Sequence, residues 1–174
     1  MFNIFKKNNK TNDIQKEKLT INNRPQDTII YAPVDGILIS IDKVNDSVFS
    51  QKMLGDGYAV IPNSGEVVSP VDGEIMTVFP TKHVIGIKTK AGDEIILHIG
   101  LETVELKGEP FQVHVKEGDF VQAGTKLVNM NLNKFEGKDP TTIVVFTNKD
   151  SIESINFESK EKVFRGEVVG TVIH

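Results

Sequence analysis

From Ile29 onward, the chain is divided into short apolar or alternating runs by glycine, proline, aspartate and asparagine. The stretches "TIIYAPVDGILISI" and "TTIVVFTN" are typical, and valine, isoleucine and threonine are abundant in them. No window holds an apolar stripe with the 3.6-residue period of a helix over three turns. Short β-branched runs between turn residues predict an all-β fold, an antiparallel β-sandwich or barrel-sandwich hybrid.

One motif of this β pattern occurs twice. "APVDGILISI" (residues 32–41) matches "SPVDGEIMTV" (residues 69–78) at an offset of 37 residues. Each Pro-Val-Asp-Gly predicts a turn before a strand. Two later segments, "VKEGDFVQAGTKLVNM" and "VFRGEVVGTVI", resemble the glycine-punctuated hairpins of lipoyl and biotinyl carrier domains, but the lysine context of those carriers is absent. We therefore expect a sandwich built from duplicated units, without a lipoyl or biotinyl group.

Residues 1–28 differ in composition from residues 29–174. They are rich in asparagine and lysine, which predicts a flexible N-terminal arm before a single folded domain. The tip "MFNIFKK" combines apolar and basic residues, so a weak contact with a membrane surface is the alternative to a disordered terminus.

The composition excludes several classes of protein. The chain has no cysteine, which rules out disulfides, thiolate zinc sites and cysteine nucleophiles. Its formal net charge is −4, so nothing favours a nucleic-acid partner. No apolar run approaches the roughly 18 residues of a membrane span. These features predict a cytoplasmic protein.

Two histidines flank a predicted hairpin. "HVIGIKT" (residues 83–89) and "EIILHIG" (residues 94–100) are joined by "KAGD", in which Gly92 suits a positive φ. A loop with an even number of residues would place His98 opposite Ile85 and His83 opposite Gly100. The two imidazole rings would then be diagonal neighbours on one face, with Gly100 leaving room beside them. A loop of odd length would put the histidines on opposite faces.

Paired imidazoles on a sheet face have three interpretations. They ligate a metal together with a carboxylate or water, or one acts as a nucleophile that the other orients, or both are packed core residues with backbone partners. The residues alone leave these alternatives open.

The same segments carry a family resemblance. "GDEIILHIGLETV" (residues 92–104), extended by "ELKGE", resembles the active-site pattern of the glucose-type enzyme IIA (EIIA) proteins of the bacterial phosphoenolpyruvate-dependent sugar phosphotransferase system. "VFPTKHVIGI" (residues 78–87) is similar to the segment with that family's second histidine, and "VFSQKMLGDGYAVIP" (residues 48–62) falls in the expected order. The likeness extends from about Ile29 to the last residue.

The resemblance implies an antiparallel β-sandwich and a phosphotransferase component without a cofactor. His98 would accept a phosphoryl group from phospho-HPr as a transient phosphohistidine and pass it to the EIIB domain of a sugar permease. His83 matches the supporting histidine, and Thr81 matches a threonine that orients it. Incidental zinc binding at His83 and His98 is a further expectation.

A carrier with two protein partners needs a docking surface around its reactive group. By motif position, the apolar candidates are Val48, Phe49, Met53, Leu54, Phe79 and Ile99, and the acidic rim candidates are Asp46 and Glu102. Glu102 stands where the family usually has aspartate, and Pro110 replaces a common glycine.

Two other functions compete with this interpretation. A purely regulatory binding protein of the same fold would keep the histidines without carrying phosphate. A zinc-dependent hydrolase using His83 and His98 is less favoured, because such enzymes need further ligands and no His-x-His occurs in the chain.

Overall fold

The computed structural model describes residues 26–174, so the predicted arm lies almost entirely outside the described residues. The described part of the chain is dominated by short strands. The strands are β1 Thr28–Tyr31, β2 Gly36–Ser40, β3 Asp56–Pro62, β4 Glu66–Val68, β5 Gly73–Val78, β6 Val84–Lys88, β7 Glu94–Ile99, β8 Phe111–Val113, β9 Phe120–Val121, β10 Lys126–Met130, β11 Thr142–Phe146, β12 Ser154–Phe157, β13 Lys162–Val163 and β14 Val168–Ile173. Helix α1 is Ser47–Ser50, and 3₁₀ turns lie at Ile41–Lys43, Thr103–Leu106, Leu132–Lys134 and Lys149–Ser151.

The strands form three sheets. One has eight strands in the order β13-β2-β3-β11-β7-β6-β5-β9, and two have three strands each, β1-β14-β12 and β4-β10-β8. Neighbouring strands run antiparallel in all three sheets. The prediction of an all-β antiparallel sandwich is confirmed.

One apolar core lies between the sheets. Successive side chains of a strand point to opposite faces, so every second residue faces this core. Ile85, Leu97, Val144 and Tyr58 lie side by side across four strands, and each is at most 1% exposed. Ile30 of β1 joins the same cluster, which also takes residues from the β4-β10-β8 sheet. The core is therefore shared by all three sheets.

The outer face of the large sheet carries a second, smaller cluster. Ala59 and Ile143 are neighbours on this face and pack with Phe49 of α1 and with Leu101. Burial of these apolar side chains stabilises α1, which is a single turn and too short to be stable alone. The same face carries His98, which lies directly opposite Ile143.

The repeated motif is also a structural repeat. Strands β2 and β5 each begin at the glycine of Pro-Val-Asp-Gly, as the turn prediction requires. The Tyr31 amide donates to the Pro70 carbonyl at 2.9 Å, and the Val68 amide donates to the Pro33 carbonyl at 2.8 Å. Residues at the 37-residue offset thus make reciprocal hydrogen bonds, which confirms the predicted duplication.

In the described part of the chain, no helix is both long and apolar enough to cross a membrane.

Candidate functional site

His98 is in the middle of the large sheet, on its outer face. It lies opposite Val84 on one side and Ile143 on the other. The Phe49 ring meets the His98 ring edge-on, with centroids 5.0 Å apart. The Nδ1 atom of His98 is buried and has no hydrogen-bond partner among the described residues. With Nδ1 turned inward, Nε2 is the ring nitrogen that an incoming group can reach.

His83 precedes β6 and is only 6% exposed. Its ring meets the His98 ring edge-on, with centroids 5.1 Å apart and ring planes at 87°. Phe79, on the other side, packs edge-on against His83 at 6.0 Å between centroids. The prediction that the two imidazoles meet is confirmed.

The predicted strand register is wrong by one residue. The loop between β6 and β7 is residues 89–93, an odd number, so His98 lies opposite Val84 and not Ile85. Regular alternation would then separate the histidines, but His83 lies outside the strand and follows Lys82, whose φ is +60°. The His83 carbonyl accepts the Ile99 amide at 2.7 Å, which ties this irregular segment to β7.

The odd loop contains a buried aspartate. Asp93 is fully buried, and its carboxylate accepts hydrogen bonds from the Thr89 hydroxyl at 3.0 Å and from Thr28 of β1. The ring of His174 is also buried beside it, with Nε2 3.3 Å from an Asp93 oxygen. Thr28 and His174 come from distant parts of the chain, so the local sequence did not indicate them.

Gly100 has a different role from the one predicted. It does not lie opposite His83 to leave room for a ring. Its φ is +77°, a conformation that favours glycine, and a Cβ here would lie 2.4 Å from the Thr103 methyl group. The Gly100 amide donates to the Thr141 carbonyl at 3.0 Å. The glycine therefore permits a tight backbone bend directly after the His98 strand.

Thr81 lies within hydrogen-bonding distance of His83, with Oγ1 2.8 Å from Nδ1. This contact holds the His83 ring in place at one nitrogen and leaves Nε2 for other partners. The structure therefore brings Thr81, His83 and His98 together, as the motifs predicted.

Burial lowers the pKa of His98 to about 4, and the neighbouring His83 adds to the effect. The Gly100 backbone and the Asp46 carboxylate oppose it by favouring the protonated ring. Burial also lowers the pKa of His83, while the Thr81 backbone opposes that shift. Both rings are consequently neutral at physiological pH, and a neutral imidazole keeps a lone pair for nucleophilic attack.

The predicted docking residues divide into exposed and buried groups. Four are exposed, by 37% to 63% of their surface: Val48, Met53, Leu54 and Phe79. Ile99 is fully buried in the main core, so its assignment to a docking surface is wrong. Phe49 is 6% exposed and its ring packs edge-on against the His98 ring, so it is not a surface residue either. Ile99 and Phe49 are buried because of side-chain alternation and tertiary packing. Neither effect can be inferred from the position of a residue in a motif.

The two predicted acidic residues lie in different settings. Asp46 caps α1, where its Oδ1 accepts the Val48 amide at 2.8 Å. Glu102 has a left-handed backbone, and its side chain is 73% exposed with a carboxylate 3.8 Å from Lys138. Lys138 also pairs with Glu105 at 2.6 Å. The motifs did not indicate Lys138, because it is distant from them along the chain.

Within residues 26–174, no three or more His, Cys, Asp or Glu side chains are grouped closely enough to hold a metal ion.

Comparisons with known proteins agree with this geometry. The family model for the phosphoenolpyruvate-dependent sugar phosphotransferase system, EIIA 1, matches residues 28–152. The PTS system glucose-specific EIIA component of Halalkalibacterium halodurans is 49% identical over 145 residues, which cover 82% of this chain and 84% of that protein. The glucose-specific EIICBA component of Streptococcus pneumoniae is 50% identical over 131 residues, 74% of this chain but only 18% of that longer protein.

A solved structure shows the same fold. Glucose permease IIA from Mycoplasma capricolum superposes with a TM-score of 0.78 at 40% identity, covering 84% of this chain and 96% of that one. At these levels of identity and coverage, with the paired histidines in place, the chain belongs to the EIIA 1 family of the phosphoenolpyruvate-dependent sugar phosphotransferase system.

Proposed function

We propose that this chain is a cytoplasmic phosphocarrier of glucose-type sugar uptake. It accepts a phosphoryl group from phospho-HPr on His98 and passes the group to the EIIB domain of a sugar permease. The observation that carries the proposal is the His83–His98 ring pair, with a centroid distance of 5.1 Å. In this pair the reactive ring is neutral and only one of its nitrogens is accessible.

The chemistry follows from the inward orientation of Nδ1. The lone pair on Nε2 of His98 attacks the phosphorus of the donor phosphohistidine. A new N–P bond forms while the donor's N–P bond breaks, and the released electron pair returns to the donor imidazole. The Nδ1 proton stays on the His98 ring. The return step, to the acceptor, reverses the same bonds, so no proton has to leave the site.

His83 supplies a hydrogen-bond donor to the transferred group. When the Thr81 hydroxyl donates to Nδ1 at 2.8 Å, the proton of neutral His83 is on Nε2. That N–H can donate to a phosphoryl oxygen, on which negative charge is concentrated during transfer. The donor is oriented before the partner arrives, which removes part of the entropic cost of the transition state.

The exposed apolar residues around the site form the docking surface for both partners. Val48, Met53, Leu54 and Phe79 provide its apolar centre. Asp46 and Glu102 provide a negative rim, which suits partners with basic residues near their own reactive group. The name EIICBA of the S. pneumoniae relative, with B and A in one chain, supports an EIIB domain as the acceptor.

Zinc binding at His83 and His98 and a separate regulatory function remain predictions from the sequence.

Intact-mass spectrometry tests the proposal. The wild-type chain is incubated with phosphoenolpyruvate, enzyme I and HPr at neutral pH, beside His98→Ala, His83→Gln and His114→Ala. His114 is exposed and lies after β8, so His114→Ala is a matched control for loss of one imidazole.

We expect one acid-labile phosphoryl group on wild type and on His114→Ala, and none on His98→Ala. His83→Gln should still be charged but should transfer poorly to an EIIB domain. Absence of phosphoryl uptake by the wild type, or uptake by His98→Ala, would contradict the proposal.

A further inference from the structure

Two of the exposed docking residues, Met53 and Leu54, lie in a short loop between α1 and β3. This loop, residues 51–54, is exposed throughout. It is anchored at both ends. On one side Phe49 is buried in the smaller cluster, and on the other Gly55 packs so closely against β11 that a Cβ atom would collide with the backbone of that strand. The positions of the docking side chains therefore depend on what holds the middle of the loop.

The middle of the loop turns sharply at Lys52, which has a left-handed backbone with φ +55°. The Lys52 amide donates to the Phe49 carbonyl at 2.8 Å, and the Met53 amide donates to the Val48 carbonyl at 3.1 Å. Neither of these bonds uses the Lys52 carbonyl. Since the left-handed conformation is unfavourable for a residue with a Cβ atom, the turn gains from a further contact.

Lys149 supplies that contact from a distant part of the chain. Its ammonium group donates to the Lys52 carbonyl at 2.8 Å. Among residues 26–174, no other hydrogen bond joins the loop 51–54 to any residue outside 46–56. The tertiary hydrogen bonding of the docking loop thus depends on one side chain.

Lys149 itself extends from a fixed backbone position. The side-chain oxygen of the preceding residue, Asn148, accepts the Glu94 amide at 2.9 Å, and its side-chain amide donates to the Gly92 carbonyl at 3.2 Å. Both partners belong to the hairpin whose second strand carries His98. Lys149 therefore connects the docking loop to the hairpin of the reactive histidine.

A cleft of about 250 Å³ lies beside this contact. Lys52 and Asp56 line it on the loop side, residues 149–155 line it on the other, and Phe146 also borders it. Because a cleft separates the two segments, side-chain packing does not hold the loop against residues 149–155. The Lys149 side chain is what joins them.

We propose that Lys149 is a positioning residue for the docking surface: by bonding to the Lys52 carbonyl, its ammonium group holds the loop 51–54 in the conformation that a partner meets. A loop that is ordered before the partner arrives loses less conformational entropy on binding. The effect on docking rests on the proposed function, whereas the effect on loop order does not.

Two measurements on the full chain test the proposal. The first is the hydrogen-exchange rate of the Met53 amide by NMR, since its bond to Val48 must open before it exchanges. The second is phosphoryl transfer at varied concentrations of phospho-HPr, which separates KM from kcat.

Lys149→Met keeps a linear side chain without a donor. Exchange of the Met53 amide should become roughly threefold to tenfold faster, the population ratio that one net hydrogen bond sustains, and the KM for HPr should rise by a similar factor. The kcat should stay within about twofold, because the change acts on docking and not on the reacting ring.

Three further variants separate positioning from loss of charge. Lys149→Arg retains a donor and should keep both values close to those of wild type. Lys134→Met is a matched control, because Lys134 is an exposed lysine paired with Glu109 at 3.8 Å, and it should leave both values unchanged. In a Met53→Ser/Leu54→Ser background, Lys149→Met should change KM by less than about twofold, since it acts through those two side chains.

Unchanged exchange of the Met53 amide in Lys149→Met would overturn the proposal, as would an equal rise of KM in Lys134→Met. Full multiplication of the KM effects in the combined variant would overturn it too. If wild type takes up no phosphoryl group, the proposed function fails, while the exchange rates still decide whether Lys149 holds the loop.

Discussion

Acidification tests the electrostatics of the site directly. Burial of the His98 ring lowers its pKa to about 4 from the ordinary value of 6.5, and the neighbouring His83 adds to this. The difference corresponds to about 3 kcal/mol of free energy between the two protonation states of the folded protein. The neutral ring should therefore persist in solutions where an exposed histidine is already charged.

The size of the effect follows from the two pKa values. At about pH 5, a group with a pKa of about 4 is roughly nine-tenths neutral, whereas a group at 6.5 is only about 3% neutral. The neutral fraction of His98 at that pH is thus about thirtyfold larger than that of an unshifted histidine. The assay is a ¹³C–¹H titration of the histidine rings, which reads His98 without involving the donor protein.

The shift also makes stability depend on pH. The folded-state pKa is lower than the unfolded one, so the unfolded chain binds more protons below about pH 6.5. Above about pH 6.5, His98 is neutral in both the folded and the unfolded chain and the free energy of unfolding is at its full value. As the pH falls toward about 4, protonation of His98 in the unfolded chain lowers the free energy of unfolding by up to about 3 kcal/mol. His98→Gln has no imidazole to protonate, so its free energy of unfolding should fall less steeply over this window in urea titrations.

Two results would refute this reasoning. One is a His98 resonance that titrates near 6.5 in the folded protein. The other is an identical loss of stability on acidification in wild type and His98→Gln. His83→Gln is the control for the effect of His83 on the pKa of His98. Because burial is the larger cause of the lowered pKa, the pKa of His98 should remain well below 6.5 in that variant.

Further outcomes are expected from three substitutions. Gly100→Ala should lower the free energy of unfolding by about 1–3 kcal/mol in urea titrations, because φ is +77° and the new methyl meets Thr103; an unchanged midpoint would contradict this. Thr81→Val should slow transfer to EIIB roughly fivefold in single-turnover assays by freeing the His83 ring, whereas an unaltered rate would exclude that role. Met53→Ser, at a residue 63% exposed, should change stability by less than about 0.5 kcal/mol while raising the KM for HPr severalfold; an unchanged KM would remove Met53 from the docking surface.

Local patterns predicted much of the fold. Alternating β-branched runs and the two Pro-Val-Asp-Gly turns indicate short strands, and β2 and β5 indeed begin at the motif glycines. These predictions succeed because turn chemistry and side-chain alternation act within a few residues. The meeting of the two histidines was also predicted, but from an even loop and regular alternation, and that register is wrong.

The register of that hairpin was not predictable from its own residues. The odd loop contains the buried Asp93, whose partners Thr28 and His174 come from opposite ends of the described chain. Nothing in "KAGD" distinguishes a buried carboxylate from an exposed turn residue. The two histidines meet only because His83 lies outside the regular strand.

The sequence by itself determined the strand-and-turn pattern, the repeated motif and the two candidate histidines, since each can be recognised from a short run of neighbouring residues. Only the tertiary structure decided which of those groups are exposed and that Ile99 and Phe49 are buried. The physical reason is that burial and cross-strand hydrogen bonds join residues far apart in sequence. His98 and Ile143, for example, become neighbours only once β7 and β11 have paired.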